Sequence, residues 1–250
     1  MDLKNIPKSK KTLAVINFVL LITLVFSLAI NQIVIAKIYD ALGIKKGIFK
    51  KIAASIIKPG SFSAALTGDV AQDAIKLAIS QGIPEIYGEE LGVSFDQVEP
   101  AMNIMKQFDP TYGKQKLVLT GDGLKRYIDV GLKISCEYCC GAKAIIGADG
   151  SGACGCAHSQ AMRGLMAYLI QNHGSEYTND EILRELARWK GMYFPKQMIQ
   201  KLASQLQGAD FTPDTAALVL GLNLPDYGQG SKTAPLPADL KSLPNMVGGC

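Results

Sequence analysis

The chain has little of what a conventional enzyme uses. It holds two histidines and one tryptophan among 250 residues. It has no G-x-S-x-G, no Walker A loop and no H-E-x-x-H, the arrangements that supply a nucleophile elbow, a phosphate cradle or a zinc-protease helix. A conventional hydrolase is therefore not expected. Charge is nearly balanced, with 26 Lys and Arg against 22 Asp and Glu. The lysines gather near the N-terminus instead of forming a basic stripe interleaved with aromatics, so no nucleic-acid partner is expected. Asp122, Asp149 and the Glu89–Glu90 pair lack the spacing of paired catalytic carboxylates and read as solvated surface. No internal repeat is apparent. Six cysteines are too few for a disulfide-dense scaffold in a chain of this length, and their clustering argues against bridges spread through a fold.

What the chain does have is enough apolar residue, 48%, to build a core for one medium domain or two small ones. It also has one dense constellation. Between Cys136 and His158 lie five of the six cysteines and one of the two histidines. Clustered thiols of this kind point to a site.

Residues Leu13 to Ala36 carry no charge and are long enough to cross a hydrocarbon core of about 30 Å as a helix. A cleaved signal peptide is the competing reading, because Lys4, Lys8, Lys10 and Lys11 make a basic leader and the run ends in Val-Ile-Ala. Its apolar part exceeds the roughly 7–15 residues usual for a signal sequence, which favours an uncleaved anchor. Lysines flank both ends almost equally, so orientation follows from the signal-anchor pattern: N-terminus inside, domain outside the cytoplasm. The lysine-bearing segment after the span places Ile38, Leu42, Ile48 and Ile52 near one face, suited either to membrane lipid or to packing on the domain. The expected organisation is a basic N-terminus (1–11), a single-pass transmembrane anchor (12–37), an amphipathic basic helix (38–59), a mainly helical Cys/His domain (60–220) and a Pro/Gly-rich tail (221–250).

Periodicity within the domain predicts helices. One spans Val70 to Ser80, stopped by Gly82 and Pro84. A short one contains Met102 and Met105, read as core filling in preference to copper ligands. After a short strand over Lys116 to Leu119, a further helix carries Leu124, Tyr127, Ile128 and Leu132. Beyond the cysteines, Ser159 or His158 caps a helix ending near Gly174. Thr178 and Glu181 form a capping box for the next. Pro195 and Pro213 open two more. The expected fold is mostly α, with a small Cys-rich β-hairpin between helices.

That hairpin is expected from the apolar `AII`, the turn `GADGSG` and a return segment between Cys140 and Cys154. It would bring C-x-x-C-C (Cys136, Cys139, Cys140) beside C-x-C-x-H (Cys154, Cys156, His158). Cys136, Cys139, one of Cys154 or Cys156, and His158 would then make a Cys₃His zinc set, and Cu(I) is equally acceptable on softness. Two alternatives use the same atoms. Cys154 and Cys156 precede a helix start that would lower a thiol pKa, making them the catalytic candidates of a thiol-disulfide oxidoreductase. Structural disulfides would instead leave a non-enzymatic interaction domain. His173, about 22 Å from His158 along one helix, is expected only to favour the helix C-terminus. Gly150, Gly152 and Gly155 spell G-x-G-x-x-G without a βαβ unit around it, so dinucleotide binding is not inferred. Cys250 is distant in sequence but within reach if the tail folds back, as an extra ligand or a disulfide partner.

From Cys136 to Lys201 the chain resembles the small membrane-anchored proteins with a PCYCGC-type cysteine motif ahead of helices. Cys154-Gly155-Cys156 matches the C-G-C step and His158-Ser159 the polar step after it. Where those proteins have Pro-Cys-Tyr-Cys, this chain has Cys136-Glu137-Tyr138-Cys139-Cys140. The resemblance implies a membrane-held cysteine cluster without a defined activity. A fainter likeness to membrane-anchored thiol reductases of cytochrome c maturation, where a thiol pair also precedes a two-helix hairpin, accords with the redox alternative.

Overall fold

Apolar residues at helical spacing, bounded by capping side chains, account for nearly all the regular structure. The computed structural model describes residues 66–227, 240 and 242–249. These belong to the second of two units, Ile57–Cys250. The expected basic N-terminus, anchor and amphipathic helix, and Cys250, lie outside the described residues. Among the described residues no helix is long and apolar enough to cross a membrane.

Eight α-helices follow in order among the described residues: α1 (Val70–Ala78), α2 (Gly88–Leu91), α3 (Val98–Met105), α4 (Gly121–Gly131), α5 (Ala157–His173), α6 (Asn179–Tyr193), α7 (Pro195–Leu206) and α8 (Pro213–Val219). A 3₁₀ turn, Lys106–Phe108, continues α3. Asp69 caps α1 by accepting from the Gln72 N–H, and the expected Thr178–Glu181 capping box starts α6. Pro195 and Pro213 stand in the first turns of α7 and α8, where a missing N–H costs nothing.

α5 is the central element. From Ala161 to Ile170 every residue is buried, as in a helix enclosed on all sides. It packs against α3, the 3₁₀ turn, α4 and α6, while α6 also meets α7 and α8, and α1 lies on α7. Gly164 lets α5 approach α3 closely, since a Cβ there would collide with the Met105 carbonyl oxygen; Gly191 does the same for α6 against Ala78. Trp189, Phe95 and Tyr87 fill the space beside α6. The indole N–H donates to Tyr87 Oη, which donates in turn to Glu185.

Two sequence expectations are corrected. The described residues contain no β-hairpin: an isolated antiparallel bridge, Ile146 with Gly152, is all that forms between Cys140 and Cys154. The chain does reverse there, with Gly147 N–H donating to Ser151 O at 2.7 Å and Gly150 in the left-handed region at φ +81°. One more cross-loop bond forms, Ala153 N–H to Ile145 O at 3.1 Å, and other backbone groups of the loop go to side chains. Arg163 Nη1 donates to the Ile145 and Cys154 carbonyls, each at 2.9 Å, and Gly152 N–H donates to Thr111 Oγ1. Lys116 to Leu119 likewise forms no strand. It is held to the 3₁₀ turn through Leu117 N–H to Phe108 O.

Candidate metal centre

Local backbone geometry decides which thiols meet. Cys136 leaves the extended step after α4, where the Ile134 carbonyl accepts from Ile145 N–H. Glu137 then takes φ +32°, in the left-handed region rare for a residue with a Cβ, and Tyr138 N–H donates back to Cys136 O. The strain is offset by ion pairs. Glu137 accepts from Lys190 Nζ at 2.6 Å and Lys201 Nζ at 3.0 Å, and Lys190 also donates to Asp214. This turn brings Cys140 back toward Cys136. On the other side of the loop, Cys156 is the N-cap of α5, its sulfur accepting from Ser159 N–H, while Cys154 Sγ accepts from Cys156 N–H. The cap expected at Ser159 or His158 is therefore a thiol one turn earlier.

The sulfurs of Cys136, Cys140, Cys154 and Cys156 all lie within 4.8 Å of one another. Cys136 stands 3.8 Å from Cys156 and 3.2 Å from Cys140. Four thiolates at about 2.3 Å from a tetrahedral zinc ion stand roughly 3.8 Å apart, so one contact already has that spacing and the other needs a small opening. All four are free thiols. They pair as donor and acceptor. The hydrogen bond between Cys156 and Cys136 holds the Cys136 pKa well down and pushes the Cys156 pKa up. Burial raises Cys140 to about 11, helped by its hydrogen bond to Cys154. Burial opposes ionisation of Cys154, yet the Cys140 hydrogen bond and the Cys156 N–H bring its pKa down. Hydrogen bonding within the cluster thus lowers the pKa of Cys136 and Cys154 and raises that of Cys140 and Cys156. A cation held by these sulfurs would displace the thiol protons.

The spacing-based set of Cys136, Cys139, Cys154 or Cys156, and His158 is divided by the fold. Cys140 enters the four-sulfur group in place of Cys139. Cys139 joins Cys156 and His158 in a second group with ligand atoms within 4.8 Å, so Cys156 belongs to both. Cys139 is disulfide-bonded. His158 is fully buried between Tyr193 and Phe194, with ring centroids 5.0 and 4.8 Å away. Its Nε2 lies 2.8 Å from the Val247 carbonyl, and its Nδ1 has no hydrogen-bond partner among the described residues. A carbonyl can only accept, so Nε2 carries the proton and the neutral ring keeps a free lone pair on Nδ1. Helix-start lowering, the expectation behind a reactive dithiol, leads at neither thiol: against burial, Cys154 is lowered by its hydrogen bond with Cys140 ahead of the Cys156 N–H, and Cys156 is raised by its hydrogen bond with Cys136.

His173 lies apart from these groups, hydrogen-bonded to Glu176 at 2.8 Å and Glu90 at 3.0 Å. Met102 and Met105 are buried core residues. Sequence reasoning missed the residues that brace the loop. Arg163 and Lys190 are buried cations on helices, and their positions among apolar neighbours were the available signal. Arg163 forms a fork to Asp109, Nε to Oδ1 at 3.0 Å and Nη2 to Oδ2 at 2.6 Å, beneath the loop.

No family model matches the chain, and no curated protein or solved structure is significantly similar to it. The resemblance to the PCYCGC-motif proteins therefore rests on the residues quoted for it alone.

Proposed function

We propose that this chain is a thiophilic metal-binding domain that takes one Zn²⁺ or Cu(I) ion on Cys136, Cys140, Cys154 and Cys156. The observation carrying this reading is the mutual approach of four free sulfurs within 4.8 Å. Four thiolates suit either ion, zinc as a closed structural site and Cu(I) through ligand softness. The protein supplies the rest: the Arg163 fork fixes the Cys154 carbonyl, Cys156 caps a buried helix, and Glu137 is anchored by two lysines. Such a site is held before the ion arrives. Its role is to bind and retain the ion; a substrate is not needed to explain it.

Purified protein with the Cys139 disulfide intact should contain or take up one ion per chain. Cobalt substitution should give thiolate-to-metal charge transfer of a tetrahedral sulfur site. Cys136→Ser or Cys154→Ser should weaken binding by more than the roughly 10–100-fold typical of outer-shell changes. Absence of stoichiometric metal uptake, with folding intact by circular dichroism, would overturn the reading.

A further inference from the structure

We infer that Cys139, Cys156 and His158 form a second soft-metal site, closed while Cys139 is held in its disulfide and opened by reduction. The inference rests on the four-thiolate reading, because Cys156 is shared between the two groups. A thiolate has more than one lone pair and can bridge two ions, so sharing allows a binuclear Cu(I) cluster with Cys156 at its centre. Three soft ligands satisfy Cu(I), whereas a structural zinc site requires four.

The independent observation is His158. Its Nδ1 is buried without a hydrogen-bond partner among the described residues, a costly state for a polar atom unless something meets it. The Val247 carbonyl on Nε2 fixes the tautomer and orients the ring, as outer-shell carbonyls do for metal-ligating histidines. That carbonyl comes from the C-terminal tail. Val247 N–H donates to Tyr193 O at 2.8 Å, and Gly248 stands at φ +80°, where a Cβ would collide with the Met102 methyl. The tail thus forms one wall of this second site.

Opening the site is a two-electron step. A dithiol reductant gives two electrons and two protons to the Cys139 disulfide and leaves as its own disulfide; the S–S bond breaks and two thiols form. Cu(I) then displaces the Cys139 proton and takes the Nδ1 lone pair. Metal capacity becomes dependent on redox state.

The test titrates the full chain with Cu(I) delivered from a chromophoric chelator. Oxidised protein should bind one ion. Protein reduced with a phosphine, which leaves as its oxide with an oxygen from water, should bind two after the phosphine is removed. Reduced Cys139→Ser should return to one. The one-ion level serves as the folding control for each variant. One ion on the reduced wild type, or two on Cys139→Ser, overturns the second site while leaving the first. No ion on the oxidised protein overturns the four-thiolate reading instead.

Discussion

Arg163 shows how a single side chain substitutes for secondary structure. It is fully buried on α5 and satisfies two loop carbonyls and one carboxylate. Replacing it leaves Asp109 buried without its countercharge and two carbonyls without a donor, and breaking a buried pair in this way costs about 3–5 kcal/mol. Arg163→Met should therefore lower stability by about that amount in urea unfolding. Removing both charges, Arg163→Met with Asp109→Asn, should cost less than Arg163→Met alone, because no buried charge is left unpaired; an equal or larger loss in the double variant would count against the account. Arg163 also bears on the metal. The Cys154 carbonyl it holds is part of the loop that sets the sulfur positions, so the destabilised single variant should also bind the ion less tightly.

Among elements, α6 and α8 are joined through charge. Lys190 on α6 is fully buried and lies 2.6 Å from Asp214 on α8 and 2.6 Å from Glu137 in the cysteine loop. Burial raises the Asp214 pKa, but the Lys190 and Lys201 charges outweigh it and the net shift is downward. A carboxyl depressed in the folded state contributes stability that is present above its unfolded value of about 3.9 and is lost as pH falls through the folded value. Asp214→Asn should destabilise the protein at neutral pH by about 2 kcal/mol, the scale of a hydrogen bond to a charged group. The wild-type and variant curves should converge below about pH 4. A gap that stayed constant into acid would show that the carboxylate charge is not the cause. Contact between other elements depends on absent side chains: the Gly164 and Gly191 approaches place α5 on α3 and α6 on the end of α1.

At the scale of the whole molecule, the charge-free run Leu13–Ala36 makes the full-length chain an expected integral membrane protein. It should stay with the membrane pellet in alkaline carbonate, and either release or a mature N-terminus at Lys37 would contradict the anchor. Helix positions in the domain were legible in the sequence because they depend on local signals: Thr178, Pro195 and Pro213 mark starts that the structure keeps within a residue or two. The cysteines and His158 were legible as one site because they crowd a single loop. Their division was not. Which thiol joins which group depends on Glu137 adopting a left-handed turn, and the lysines that hold that turn come from 53 and 64 residues away. The missing hairpin has the same origin, since the Cys154 carbonyl and the Gly152 N–H are taken by Arg163 and Thr111, side chains from outside the loop. Local propensity is written in neighbouring residues, whereas partner choice among competing donors is decided by what tertiary packing brings within 3 Å.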